Sequence, residues 1–152
     1  MRLLGIDYGT KRVGIALSDP ECQFAMPFMT FSNSKTLLQE VVDLAKKNEI
    51  KEIILGESRN YKGEANAILV KSLEFKKDLE SAGFVVHLEP EFMTSVQAER
   101  FQGKTDLLDA SAAALILQSY LDRNSEKWSN EQCSHLGQAM IKFGFYAMMW
   151  QW

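Results

Sequence analysis

The sequence predicts an α/β protein with a mixed five-stranded sheet and helices on both faces. Two apolar runs joined by a short glycine-containing turn open the chain as a hairpin. A third strand pattern follows, and after it helical and strand patterns alternate. Since this alternation gives parallel strands joined by crossover helices, the sheet should contain both antiparallel and parallel pairs.

The first three strands are predicted at 2–7, 12–18 and 24–31. The first two are rich in Leu, Ile and Val, and the turn at Gly9 separates them. Pro27 lies within the third strand. Because proline cannot donate a backbone hydrogen bond to a neighbour, we expect this strand at the margin of the sheet.

The next elements follow from helical spacing and from turn residues. Apolar residues at helical spacing predict a helix from about 35 to 48, with Ser34 as its N-cap. A short strand at 52–55 should end at Gly56, and a polar loop follows.

Two further helices and the fifth strand complete the predicted fold. A helix from about 65 to 82 should stop at Gly83. The fifth strand, 84–88, is closed by Glu89 and Pro90, and the last clear helix runs from about 107 to 121.

Composition sets limits on the class of protein. The 152 residues are 46% hydrophobic, which fits a globular domain with a real core. Two cysteines are too few for a disulfide framework or a zinc site. No apolar run approaches a membrane span, so we expect a cytoplasmic protein. The net charge of −3 neither supports nor excludes a nucleic-acid substrate.

Asp7 and Asp109 are the sharpest candidate site residues. Asp7 ends the first apolar strand, where a carboxylate is costly unless it has a partner; the alternative is a turn carboxylate that supports the hairpin. Asp109 opens the last helix and should point inward, or it forms a capping pair with Asp106. The face that it shares is apolar and contains Ala112, Ala113, Ile116 and Tyr120.

Two glutamates follow strand ends and could join these acids. Glu91 lies just after the fifth strand and Glu57 just after the fourth, where surface glutamates are also common. Parallel crossovers place ligand sites at the carboxyl ends of strands. A trio of such carboxylates suits two divalent cations roughly 3.5–4 Å apart, and oxygen ligands favour Mg²⁺ or Mn²⁺. The chemistry expected of that site is phosphodiester hydrolysis.

Two segments closely resemble the signature of the YqgF (RuvX) family. They are Leu4 to Ala16, which contains Asp7, and Asp109 together with Ala112 to Leu121. The resemblance covers residues 1–123 and implies an RNase H-like nuclease domain, related in fold to RuvC. Residues 124–152 resemble nothing in the family and are interpreted as a C-terminal tail, helical or non-native.

The resemblance implies roles for particular residues. Asp7, Glu91 and Asp109 match the acidic catalytic and metal-binding positions of the family. Phe92 stands where the family usually has an arginine, which puts substrate grip in question, and Glu57 is expected to assist or replace Glu91. The expected phosphate contacts at the rim are Thr10, Lys11, Arg12, Ser58 and Arg59.

The function implied is a metal-dependent nuclease that matures the 5′ end of precursor 16S rRNA. A Holliday-junction resolvase is the first alternative, with branched DNA as substrate and a homodimer as the active form. The second is a non-catalytic RNA-binding module in ribosome assembly. An actin-like phosphotransferase also opens with Asp-x-Gly-Thr but needs a second lobe, for which 152 residues are too few.

Overall fold

The structure, a computed structural model, describes residues 1–57, 67–90 and 106–127. This part of the chain contains five strands, and three helices that are each at least eight residues long. In order they are β1 (Leu3–Tyr8), β2 (Arg12–Ser18), β3 (Ala25–Ser32), α1 (Leu37–Lys47), β4 (Glu52–Glu57), α2 (Ala67–Ser81), β5 (Val85–Pro90) and α3 (Asp106–Arg123).

The strands form one mixed sheet in the order β3-β2-β1-β4-β5. β2 is antiparallel to both β1 and β3, whereas β4 is parallel to β1 and β5 is parallel to β4. The predicted mixed five-stranded sheet is therefore confirmed. β3, the strand with Pro27, lies at one edge of the sheet as the proline predicted.

One face of the sheet packs against α1 and α2. Leu4 and Ile6 of β1 point to this face, and their register partners Ile53 and Leu55 of β4 lie beside them. Helix α1 contributes the buried side chains Leu37, Val41, Val42 and Ala45, and α2 contributes Phe75 and Leu79. These apolar contacts form the main core and hold the sheet rigid beneath the opposite face.

Helix α3 packs on the opposite face, and its approach to β1 is close. A Cβ atom at Gly5 would lie 2.8 Å from Leu117 Cβ and 2.9 Å from the Ala113 carbonyl oxygen. Ala113 and Leu117 are fully buried. Helices therefore lie on both faces of the sheet, as predicted.

Several predicted boundaries differ from the structure. The N-cap of α1 is Thr36, without a side-chain capping bond, and Ser34 instead bonds Thr36 in the turn before the helix. β4 and β5 each extend two residues further than predicted. They do so because Gly56 pairs with Glu89 and Glu57 with Pro90, which continues the parallel ladder.

The chain divides into two compact units, Met1–Asp122 and Arg123–Trp152. In the second unit, the structure describes residues only as far as Lys127. Most of the 124–152 tail lies outside the described residues, so its interpretation stays a prediction. Among the helices of the described ranges, none is long and apolar enough to cross a membrane.

Candidate metal and nucleic-acid site

The turn between β1 and β2 carries three of the predicted phosphate contacts and is held in place by hydrogen bonds. Gly9 N–H donates to the Arg12 carbonyl at 3.1 Å and closes the turn. Asn33 follows β3 and donates from Nδ2 to the Gly9 carbonyl at 2.7 Å and from its backbone N–H to the Lys11 carbonyl at 2.9 Å. Thr10, Lys11 and Arg12 are exposed. The turn thus presents two cationic side chains from a fixed backbone.

Asp7 lies one residue before the end of β1, on the face that α3 covers. Its partner across the antiparallel β1–β2 pair is Gly14. Residues directly opposite in such a pair project to the same face and have Cα atoms about 4.5–5.5 Å apart. Asp7 therefore projects to the same side as Gly5, two residues earlier, which contacts Leu117 of α3.

Gly14 is the point at which the first turn of α3 meets the sheet. A Cβ atom at this position would lie 1.8 Å from the Asp109 carbonyl oxygen and 2.9 Å from Ala110 N. No side chain larger than hydrogen fits there without displacing the helix. Gly14 is the neighbour of Asp7 on the adjacent strand and also contacts the Asp109 backbone. The two acids, about a hundred residues apart in sequence, therefore both neighbour the same glycine.

The Asp109 side chain is partly buried, and its two oxygens differ in their surroundings. The side chain is 34% exposed, yet its Oδ2 atom is buried and accepts no hydrogen bond from the described residues. Arg12 Nε lies 3.3 Å from Oδ2 as an ionic contact. A buried carboxylate oxygen without a hydrogen-bond donor is costly, so Oδ2 is suited to a cation.

Two neighbouring carboxylates on one face of the sheet fit a divalent cation. Carboxylate oxygens are the preferred ligands of Mg²⁺ and Mn²⁺. Within the described ranges no group of three or more His, Cys, Asp or Glu side chains is placed to hold a metal ion. The predicted third ligand, Glu91, lies outside those ranges, as do Ser58 and Arg59.

Strand alternation places Glu57 on the face of β4 opposite to the one that carries Asp7 on β1. Strand alternation places it on the same side as Leu55, which belongs to the core beneath α1 and α2. By the same register, the β4 residue level with Asp7 is Gly56. The register therefore does not favour the predicted role of Glu57 as a metal ligand beside Asp7.

The sequence predicted Glu89 as part of the turn that closes the fifth strand. It is a strand residue of β5, pairs with Gly56 and is 0% exposed. Ser119 Oγ of α3 donates to Glu89 Oε1 at 3.0 Å, so the glutamate projects to the same face as Asp7. The signal was present in the sequence, since period-two alternation from His87 places Glu89 on that face, but the following proline suggested a turn.

The fold is similar to those of solved Holliday-junction resolvases. Thermus thermophilus RuvC matches with a TM-score of 0.54 at 14% identity, over 82% of this chain and 97% of that chain. Fowlpox virus resolvase, solved with a Holliday junction DNA substrate, matches with a TM-score of 0.52 at 14% identity, over 81% and 98%. At these identities the likeness shows the fold, and it confirms the predicted RNase H-like class.

Sequence relatives give a closer comparison. A Sulfurihydrogenibium protein named "Putative pre-16S rRNA nuclease" is 32% identical, over 88% of this chain and 97% of its own length. A protein of the same name from Koribacter versatilis is 33% identical, over 80% and 87%. The family model RuvX, described as Holliday junction resolvase, matches residues 1–123. These matches confirm the predicted family and the predicted enzyme class, a nuclease. The chain belongs to the RuvX family.

Proposed function

We propose that the protein is a metal-dependent nuclease that hydrolyses phosphodiester bonds of precursor 16S rRNA during maturation of its 5′ end. The assignment of precursor 16S rRNA as the substrate is supported by the names of the sequence relatives. The observation that supports the chemistry is that Gly14, the register partner of Asp7, also contacts the backbone of Asp109. The buried Asp109 oxygen accepts no hydrogen bond from the described residues, so a cation there would satisfy it.

Asp7, Asp109 and Glu91 would hold the divalent cation, Mg²⁺ or Mn²⁺. When bound, the cation neutralises charge that develops on the phosphate and lowers the pKa of the attacking water. The backbones of Asp7 and Asp109 are held by the β1–β2 pairing and by the helix contact at Gly14. Such preorganisation is what charge stabilisation in a transition state requires.

The β1–β2 turn would grip the nucleic acid beside these acids. Lys11 and Arg12 are exposed at its tip and supply the positive charge that phosphates require. The hydroxyl of Thr10 is a further phosphate contact in this proposal, as are Ser58 and Arg59 from the sequence. Because these contacts touch the backbone and not base edges, the turn would position the RNA without reading its sequence.

We assign the third ligand to Glu91 and not to Glu57. One observation supports this choice: strand alternation places Glu57 on the core side of β4, away from Asp7. The family resemblance supplies Glu91. Calorimetric titration with Mn²⁺ tests it. Glu91→Gln should weaken binding at least tenfold, roughly the effect of losing one ligand, whereas Glu57→Gln should leave it unchanged. If Glu57→Gln weakened Mn²⁺ binding and Glu91→Gln did not, Glu57 would be the third ligand.

A Holliday-junction resolvase is the second candidate, favoured by the description of the family model. Resolution of a four-way junction needs two active sites related by two-fold symmetry. A protein that remains monomeric when bound to a junction would therefore count against this candidate.

The decisive experiment offers the purified protein two substrates, a 5′-extended 16S rRNA precursor fragment and a synthetic four-way DNA junction. Each is incubated with Mg²⁺, with Mn²⁺ and with EDTA. The variants are Asp7→Asn and Asp109→Asn. Asp122→Asn is the matched control, because it makes the same change at the exposed end of the same helix.

We expect metal-dependent cleavage of the RNA. Loss of either Asp7 or Asp109 should reduce its rate by at least 100-fold, about the effect of a lost charge-stabilising group, and Asp122→Asn should stay near wild type. Full activity in Asp7→Asn or Asp109→Asn would refute the site. Preferential cleavage of the junction would favour the resolvase, and metal-independent RNA binding without cleavage would favour an assembly module.

A further inference from the structure

The Arg12 side chain contacts Asp109, one of the proposed metal ligands. Its Nε atom lies 3.3 Å from Asp109 Oδ2, the buried oxygen that accepts no hydrogen bond from the described residues. The Arg12 side chain itself is 50% exposed. A cationic group with one end in solvent therefore covers the oxygen that a divalent cation would use.

The backbone of Arg12 cannot move away from this position. Arg12 is the first residue of β2 and accepts the hydrogen bond from Gly9 N–H that closes the turn. Two residues further along the strand, Gly14 contacts the backbone of Asp109, so Arg12 projects to the same face. Only the flexible arginine side chain can change place.

The contact is weak enough to be exchanged. Arg12 Nε and Asp109 Oδ2 are 3.3 Å apart as an ion pair, and no hydrogen bond joins them. Exposed pairs of this kind contribute little to stability because solvent screens them. A divalent cation has twice the charge of the guanidinium and takes carboxylate oxygens directly. The two cations compete for one oxygen and repel each other when both are near it.

We propose that Arg12 is an exchangeable counter-ion of the site: its guanidinium holds Asp109 when the metal is absent, and metal binding releases it to a phosphate of the substrate. This inference rests on the proposed function, since it requires a metal at Asp109. Arg12 is then a positioning residue that couples metal occupancy to substrate grip. The exchange offsets the charge of Asp109 before the metal arrives, and it makes the Arg12 guanidinium available to a phosphate only once the site is loaded.

Mn²⁺ affinity, measured by calorimetry on the full chain without substrate, tests the exchange. Arg12→Ala should bind Mn²⁺ about three- to fivefold more tightly than wild type, because no exposed ion pair has to be broken. Arg12→Lys keeps the charge and should stay within about twofold of wild type by the same reasoning. Lys11→Ala removes an equal charge one residue away and is the matched control; it should match wild type. Thermal melts verify that each variant is folded.

Two results would overturn the proposal. One is an Arg12→Ala affinity equal to or weaker than that of wild type, while wild type binds Mn²⁺. The other is an equal gain in Lys11→Ala, which would show a general charge effect in place of exchange at Asp109. Failure of wild type to bind Mn²⁺ at all would refute the metal site of the proposed function together with the exchange, so the two failures are distinguishable.

Discussion

Replacing Gly14 with alanine should separate the acids that the fold brings together. The new Cβ atom would lie 1.8 Å from the Asp109 carbonyl oxygen, and this distance must grow to at least 3.0 Å. The clashing atom belongs to the helix backbone, so rotation of a side chain cannot relieve it. The first turn of α3 must move away from the sheet by more than 1 Å, and Asp109 moves with it.

The expected effect has a stability part and a site part. Overpacking of this kind costs about 1–3 kcal/mol, occasionally more. In a domain of this size, each kcal/mol lowers Tm by roughly 2–4 °C. For the site, a displacement of about 1 Å in a positioned catalytic group can reduce the rate about 100-fold. We therefore expect Gly14→Ala to be folded but nearly inactive, with weakened Mn²⁺ binding.

Gly5→Ala is the matched control. It also introduces a Cβ atom beneath α3, at 2.8 Å from Leu117 Cβ and 2.9 Å from the Ala113 carbonyl oxygen. That contact is milder and lies one to two helical turns from Asp109. Gly5→Ala should lose stability yet keep Mn²⁺ affinity within a fewfold of wild type, since Asp109 need not move. Urea unfolding and Mn²⁺ calorimetry on both variants make the comparison.

The reasoning would be refuted if Gly14→Ala bound Mn²⁺ as tightly as wild type. It would also be refuted if the two glycine variants lost Mn²⁺ affinity in proportion to their lost stability, because the effect would then be general unfolding. Cleavage of the precursor RNA gives an independent readout of the same displacement.

Three further predictions concern other parts of the described structure. Ser119→Ala removes a hydrogen bond to the fully buried Glu89 and should lower the free energy of unfolding in urea by about 1–3 kcal/mol; the same change at exposed Ser81 should have almost no effect. Burial raises the pKa of the Cys22 thiol above its ordinary 9.0, so the folded state retains this proton more tightly than the unfolded state does. The protonated thiol contributes its full stabilisation at pH values below the ordinary pKa, and this stabilisation is lost as pH rises through the raised pKa of the folded state. Between about pH 8 and 10, the free energy of unfolding of Cys22→Ala should therefore fall less than that of wild type, as measured by urea titration. Mg²⁺ at about 100 times its Kd should stabilise wild type by about 2.7 kcal/mol, seen as a rise in Tm, whereas Asp109→Asn should show no rise.

Local patterns were sufficient to predict most of the architecture. Periodicity identified the strands and the helices, because burial of one face imposes a period of two or of 3.6 residues. Pro27 identified the edge strand, because a missing N–H is tolerated only at an edge. The apolar stripe after Asp109 predicted an inward carboxyl, which the structure confirms for the buried Oδ2 atom.

The sequence by itself thus determined the element types and the family, and it proposed Asp7 and Asp109 as site residues. Only the tertiary structure decided which residues share a face and meet. Glu57 and Glu89 differ little as sequence patterns, yet the parallel register turns Glu57 toward the core side and Glu89 toward α3. In the sequence Gly14 is an ordinary strand glycine, and only the tertiary structure shows that helix α3 packs directly against it. Such contacts depend on strand register and on helix approach, which are set by packing between distant segments and not by any local pattern.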